Sequence, residues 1–474
     1  MDYYIRKVLI SSLFESGNDY KIELTEGCNC IYGSNGTGKT TVINLIVNCL
    51  NVELESLSKT PFSSISIQLA KTGQVRASKF LTLTKEKNTF PANIELRYEV
   101  DGVTSYGFSI SPRHIPNRIQ EKYGDTPEEL RKIILQRVNL THVPLLRMHD
   151  SELFGARDER DDFLHSALRS KHLPSSQINE IIDPSARVLN TLQRQFTAEA
   201  NEARKTITTK LEVLKSKIIE RVMIDESLVR MSAKALNKAS KAISSELEDV
   251  DVSAYVTKLS EARINVPEEK IHEHFITWKK LNDNVRDAYQ VMEKSREELH
   301  QSKKPTEAQQ KKSHEAYQKF NNSYFNLIAM TNFNDRFLSI VDDVESMQGE
   351  KLELTKSFSD YEKEINQYFG SRKSFSINED GQFSVKSKSR KVDLADLSSG
   401  EKHILTILGK AALSRREGAI FVADEPELSL HLDWQRMILP SIIKLSPKSQ
   451  IIVATHSPSI NAKGATEIDL EECR

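Results

Sequence analysis

The sequence predicts an α/β fold, a mixed sheet with flanking helices, interrupted by a long helical insertion. Three observations carry that prediction. Short apolar strands gather at both ends of the 474-residue chain; one of them runs straight into a glycine-rich turn and a helix; and the middle is charged and apolar at helical spacing. The two ends would make one unit, residues 1–180 with 366–474, and residues 181–365 the insertion. The length exceeds that of one ordinary compact domain. With 38 % hydrophobic and 28 % charged residues the chain supplies a real core and a surplus of polar surface suited to elongated helices.

The first elements are strands. YIRKVLI at 4–10 and YKIELT at 20–25 precede CNCIYG at 28–33, which leads through the glycine turn into TTVINLIVNCL, whose Val42, Ile43, Ile46, Val47 and Leu50 recur at helical spacing. From 63 to 110 the runs SSISIQLA, KFLTLTKE, ANIELRYEV and SYGFSIS, punctuated by Gly73, Pro91 and Asp101-Gly102, predict an antiparallel sheet.

After about residue 180 the character changes. Residues 181–300 hold 20 acidic and 20 basic side chains, no glycine, and prolines only at 184 and 267. Such text is helix, too charged for the centre of a core, and its balanced charges read as a solvated face. Leu189, Leu192 and Phe196 start a stripe that Leu211, Leu214, Ile218, Val222 and Ile224 continue. A helix over 187–223 would extend about 55 Å at about 1.5 Å per residue. The segment 268–300 would return alongside it, and 303–346 is of the same kind. The heptads are imperfect, so a short helical arm or bundle is expected rather than a long regular coiled coil.

Sheet resumes with SFSIN at 374, a turn at Asp380-Gly381 and QFSVKS. A helix near Gly400, the strand AIFVA at 419–423, a helix at 432–443 and the strand QIIVATH at 450–456 complete a parallel sheet covered on both faces.

Composition excludes several function classes. Lys+Arg 66 against Asp+Glu 67 leaves a formal net charge of -1, so bulk charge selects no nucleic-acid partner and only local patches can. Cys28, Cys30, Cys49 and Cys473 form neither a disulfide framework nor a zinc pattern and are expected as free buried thiols of a reducing compartment. The start MDYYIRKVLISSLF has no cleavage site, and no stretch is long and apolar enough to span a membrane; a cytoplasmic protein without a membrane partner is expected.

The most specific motif is Gly33-Ser34-Asn35-Gly36-Thr37-Gly38-Lys39-Thr40, followed by Thr41, between a strand and a helix. Its glycines let successive backbone N–H groups turn around phosphate oxygens, Lys39 reaches the outer phosphates, and Thr40 offers its hydroxyl to magnesium. Phe421-Val422-Ala423-Asp424-Glu425-Pro426 is an apolar strand ending in two acids. Asp424 is placed to hold magnesium and Glu425 to polarise an attacking water; helix capping is the plainer alternative for such a pair. Leu397-Ser398-Ser399-Gly400-Glu401 opens a helix whose N-terminus suits an anion, or a simple N-cap. His456 in Ala454-Thr455-His456-Ser457-Pro458 is placed at the end of a buried strand to contact a phosphate.

The ordered set GSNGTGKT, LSSGE, VADEPE and THSP resembles the ABC-type ATPase heads of the SMC and Rad50 class, and among them the compact ATPases of bacterial anti-phage defence systems, such as the AriA ATPase of PARIS and the PtuA ATPase of Septu. The match covers roughly residues 1–60 and 385–462. The resemblance implies an ATP-hydrolysing enzyme with ATP and magnesium as cofactors. It makes 33–40 the Walker A loop, Ser398, Ser399, Gly400 and Glu401 with Leu397 the signature, Asp424 the Walker B aspartate, Glu425 the catalytic glutamate and His456 the switch histidine. It also implies a composite site, in which the signature of one copy closes on ATP held by another. The signature departs from the commoner pattern at Ser399, and His431 stands where transporters carry an aspartate, with Asp433 two residues on, which argues against a transporter. Gln68, Gln120 and Arg147 are alternative Q-loop or site-lining residues.

By the same resemblance the partners are a second copy in a head-to-head dimer or a hexamer, a separate effector nuclease of Toprim-like or HNH-like type, and a phage-encoded trigger protein or DNA. Nucleotide-driven association of two heads would then act as a switch. The competing function is a DNA-binding Rad50- or RecF-like ATPase in repair or tethering, for which Arg372, Lys373, Lys386, Lys388, Arg390 and Lys391 are candidate phosphate contacts or an ordinary solvated hairpin.

Overall fold

A computed structural model describes residues 3–87, 93–102, 104–110, 119–122, 126–144, 184–222, 226–244, 250–261, 264, 266–302, 304–415, 417–460 and 462–474. The chain forms two compact units. The first is Met1–Asn201 with Lys356–Arg474, and the second is Glu202–Thr355.

In the first unit, β1 (Tyr3–Ser11), β2 (Tyr20–Glu23), β4 (Ser64–Lys71), β5 (Ala77–Lys87), β6 (Ile94–Val100), β7 (Thr104–Ile110) and β8 (Ile119–Lys122) make an antiparallel sheet in the order β2-β1-β4-β5-β6-β7-β8. The alternating text of 63–110 therefore does form the expected antiparallel sheet. The Asp101-Gly102 turn puts both residues at positive φ, 51° and 71°, which glycine adopts freely. A second sheet is wholly parallel. It takes β3 (Cys28–Tyr32), β9 (Asn139–Val143), β13 (Ala419–Asp424), β14 (Gln450–Ala454) and β15 (Thr466–Asp469) in the order β15-β3-β14-β13-β9.

Period-2 alternation gives the parallel sheet two cores. Ile420 and Val422 of β13, Ile452 and Ala454 of β14 and Ile31 of β3 join one cluster; Phe421, Ala423, Ile451, Val453, Cys28 and Cys30 join the other. The first cluster includes helix α1 (Lys39–Asn51), whose Val42, Ile43, Leu45, Ile46, Val47, Cys49 and Leu50 are all buried. Apolar on nearly every side, α1 contacts β9, β13 and β14 and shares its cluster with Ile5, Val8 and Ile10 of β1. Two shorter helices, α2 (Leu54–Lys59) and α3 (Pro127–Leu135), flank it.

The second cluster takes Leu189, Leu192 and Phe196 from the start of α4 (Pro184–Val222) and Tyr361, Ile365 and Tyr368 from the end of α8 (Glu307–Phe369). Helix α8 therefore runs well past the expected end at 346, because its last turns are apolar enough to serve this core. The three-stranded sheet of β10 (Ser374–Ile377), β11 (Phe383–Ser387) and β12 (Arg390–Val392) packs there through Phe375, Phe383 and Val385. Beside it lie α9 (Ser399–Leu413) and α10 (Leu432–Leu445).

The second unit is helical, built from the remainder of α4 and α8 with α5 (Glu226–Ser244), α6 (Val252–Glu261) and α7 (Glu268–Gln301). Two small cores hold it, Leu214, Leu259, Ile271, Phe275, Val341 and Val344 in one and Ala239, Ala242, Val285 and Leu327 in the other. Ion pairs such as Lys258–Glu345 at 2.7 Å and Lys312–Glu298 at 2.8 Å absorb part of the balanced charge. Among the described residues no helix is long and apolar enough to cross a membrane. Cys28, Cys30 and Cys49 are buried free thiols, whereas Cys473 is half-buried, because only one side of its short C-terminal turn packs on the core.

Candidate functional site

The glycine loop follows β3 and ends in α1. Gly36 and Gly38 have φ of 87° and 94°, a backbone that favours glycine, and a Cβ on Gly38 would lie 2.9 Å from the exposed Phe14 ring, which would have to shift. Ser34, Asn35 and Gly36 are exposed, while Thr37 turns inward and donates from its hydroxyl to the Ser34 carbonyl at 3.0 Å. The loop thus presents its backbone to solvent at a helix N-terminus with no acid in the first turn.

Lys39 opens α1 and is 3 % exposed. Its ammonium donates to the Gly33 carbonyl at 2.6 Å, the Ser34 carbonyl at 3.0 Å and His456 Nδ1 at 2.9 Å. Burial lowers its pKa, opposed by Glu425, Asp424, Glu471 and Glu427. An ammonium has no lone pair to offer, so Nδ1 of His456 must accept and the ring proton resides on Nε2. That nitrogen lies 3.0 Å from Glu425 Oε1, so the neutral ring donates to the carboxylate. Lys39, His456 and Glu425 therefore form one continuous chain, although sequence reasoning assigned them separately.

Asp424 and Glu425 close β13. Asp424 is 3 % exposed and accepts from the Thr40 hydroxyl at 3.3 Å, while its Oδ2 is enclosed without a partner. Burial raises its pKa to about 6, the Thr40 bond opposes the rise, and Glu425 and Glu427 add to it. An orphaned buried carboxylate oxygen beside a hydroxyl on the next element is a donor set that a hard divalent cation fits. Glu425 takes φ 44°, left-handed for a residue with a Cβ, held by its N–H bond to the Ala454 carbonyl at 2.8 Å. His456 lies two residues beyond β14, not at its end, because the strand stops at Ala454 and the N–H groups of His456 and Ser457 go to the Glu427 carboxylate instead of a neighbouring strand.

The segment 398–401 is elsewhere in the bonding pattern. Ser398 is the N-cap of α9 in a reciprocal capping box, with Glu401 N bonded to the Ser398 hydroxyl and Ser398 N bonded to Glu401 Oε2 at 2.8 Å. Glu401 also takes Lys373 at 2.8 and 2.9 Å, so its carboxylate already serves the cap and an ion pair. Ser399 and Gly400 are its first residues, and a Cβ on Gly400 would approach the Ser429 carbonyl to 3.2 Å. Thr41 sits in the first turn of α1, half-buried. Gln68 lies inside the antiparallel sheet, paired with Lys7 and Lys79; Gln120 is on β8; Arg147 lies outside the described residues.

Three groups that sequence reasoning did not assign belong to the same neighbourhood. Phe14, 47 % exposed at φ 67°, abuts Gly38. Glu427, 7 % exposed, bonds the segment that carries His456, and His403 on α9 bonds the turn that carries Glu427. The third acid of VADEPE was the available signal for Glu427. A cavity of about 540 Å³ opens beside Gly33 and Ser34 and is lined in part by His456, Glu467 and Asp469.

The model of a family described as AAA ATPase domain matches residues 5–460. Among solved structures, the Smc head domain with an extended coiled coil bound to the C-terminal domain of ScpA, from Pyrococcus furiosus, is similar at 12 % identity, over 97 % of this chain and 91 % of that one, with a TM-score of 0.35. The Smc head domain with a coiled coil and joint from Pyrococcus yayanosii is similar at 15 % identity, over 97 % and 93 %, with a TM-score of 0.34. No curated protein matches the chain.

Proposed function

As the chain belongs to the AAA ATPase domain family, we propose that its first unit binds ATP with magnesium and hydrolyses it, using Lys39, Glu425 and His456 at the reacting phosphate. The observation that carries this reading is the chain from Lys39 through His456 to Glu425, set beside the orphaned oxygen of Asp424 at the mouth of the glycine loop. Thr40 and Asp424 would hold the magnesium ion, which supplies positive charge against the phosphate oxygens when bound.

The chain's own groups do the rest. Backbone N–H groups of 33–40, with Thr41, cradle phosphate oxygens, and Lys39 exchanges the Gly33 and Ser34 carbonyls for a phosphate, a stronger acceptor. Glu425 accepts the proton of the attacking water, and the His456 Nε2–H keeps that carboxylate aimed. The exposed Phe14 ring is available to stack on the base. Ser398, Ser399, Gly400 and Glu401 serve a second copy, where the α9 N-terminus would add N–H groups to the outer phosphate only when two copies associate.

The motif set supports a finer reading, a sensor and scaffold subunit of a cytoplasmic anti-phage defence complex. In it, nucleotide-dependent association of a head-to-head dimer or hexamer controls a separate effector nuclease in response to a phage protein or DNA. Purified chain should hydrolyse ATP with magnesium, and Glu425→Gln should keep ATP binding while slowing single-turnover hydrolysis at least about tenfold. Unchanged single-turnover hydrolysis would place the base elsewhere. Purification from its own operon under ATP should carry a nuclease along, whereas ATP-dependent gel shifts with no such companion would favour the DNA-tethering alternative.

A further inference from the structure

Given the proposed roles of His456 and of the second copy, that histidine must keep its place while its partners engage phosphate and water. Among the described residues the ring bonds to Lys39 and Glu425, and both take on further partners when phosphate and water arrive. The backbone that carries the ring is held differently. Glu427 Oε1 accepts from the Thr455 hydroxyl at 2.5 Å, from His456 N at 3.1 Å and from Ser457 N at 3.2 Å. The Ser457 hydroxyl donates to Gln435 at 3.1 Å, and Gln435 donates to the Leu430 carbonyl at 3.0 Å, in the turn that follows Glu427. None of these bonds uses a group that the nucleotide would claim.

A buried carboxylate is a costly way to fill space, and a well-packed apolar residue is often equal or better for stability. Three donors converging on one oxygen specify a geometry, and the geometry specified is that of the residue between Thr455 and Ser457. The other side of the same turn is tied as well. His403 is 2 % exposed on α9, and its Nε2 donates to the carbonyl of Pro426, the residue before Glu427, at 3.0 Å. Burial pushes His403 down, which favours the neutral ring, and donation to a carbonyl puts its proton on Nε2. The helix that Ser398 caps is therefore bonded to the turn that carries Glu427, and Glu427 to the segment that carries His456.

We propose that Glu427 is a positioning residue acting through His456, and that His403 ties its turn to the helix whose first residues serve the second copy. Each copy's association surface and its own phosphate-facing histidine are then joined by two buried hydrogen-bonded clamps. A shift of α9 on association would reach His456 without passing through the nucleotide.

The test is a kinetic cycle on the full chain, with kcat and KM for magnesium-ATP measured for the wild type, Glu427→Ala, His456→Ala and the double variant. Each single change should lower kcat about tenfold or more with KM within about threefold, and the double variant should be no slower than His456→Ala. Glu427→Gln, whose amide oxygen still accepts all three donors, should recover at least about a third of kcat. His403→Leu should cost less than Glu427→Ala, and nothing further in the His456→Ala background. Losses that multiply in the double variant overturn the proposal, as does full activity of Glu427→Ala while His456→Ala is impaired. Full activity of His456→Ala removes the role given to His456 under the proposed function, a failure visible at that residue before Glu427 is touched. Should Glu427→Ala not fold, Glu427→Gln and Thr455→Val, which deletes the shortest of the three bonds, complete the same cycle.

Discussion

Replacing Asp424 by asparagine isolates what it costs to hold a carboxylate ready for a cation. An aspartate of the unfolded chain ionises near 3.8 and the folded Asp424 near 6. Between those values the unfolded state sheds its proton first and is favoured, so this group's contribution makes stability fall as pH rises through the window and stay level above it. The difference is about 2 pH units, or about 3 kcal/mol at 1.36 kcal/mol per unit. Asparagine keeps the Thr40 bond but places an amide where Oδ2 had no partner, a cost of about 1 to 3 kcal/mol that does not vary with pH. Measured against wild type at each pH, that constant cancels. The stability of Asp424→Asn relative to wild type should therefore rise by roughly 2 to 3 kcal/mol between about pH 4 and about pH 7. Urea unfolding followed by tryptophan fluorescence reads it, in a Trp278→Phe background that leaves Trp434 as reporter of the first unit. Magnesium-ATP at neutral pH should then stabilise the parent and not Asp424→Asn. A stability difference that does not change with pH would refute the burial penalty, and with it the reason for reading Oδ2 as a cation ligand.

Lys39→Ala removes the ammonium that opens α1 at the loop and should weaken ATP binding by at least about tenfold in calorimetry; near-wild-type binding would defeat the phosphate assignment. Mixing Lys39→Ala chains with Ser398→Arg chains should restore part of the hydrolysis that each lacks, since in a mixed pair one composite site carries both defects and the other none. If mass measurement shows mixed pairs and the wild-type mixing control stays active, an absence of rescue rules out independent composite sites. Gly381→Ala should destabilise the first unit by about 2 kcal/mol or more in thermal unfolding, because φ there is 74° and a Cβ would lie 2.6 Å from the Phe196 carbonyl oxygen.

What the sequence by itself determined is local. Eight contiguous residues specify the glycine loop, since positive φ at Gly36 and Gly38 and a strand before and a helix after are properties of neighbours in the chain. The same holds for the acids closing β13, the Ser398 cap and the helical text of the second unit, which folds as helices because its periodicity leaves no other regular structure to form. The length of α8 was only partly legible, as its last turns are defined by the core they fill. The bonding of the site was decided by tertiary structure. Lys39 and His456 stand 417 positions apart and Thr40 and Asp424 384 apart, and they meet because β3, β13 and β14 are neighbours in one parallel sheet. Glu427 reads in sequence as one more acid after a strand, and His403 as one more residue of a buried helix face. Their tasks depend on which carbonyl or N–H another element brings within about 3 Å, and hydrogen bonds are too short-ranged and directional for periodicity to encode that choice.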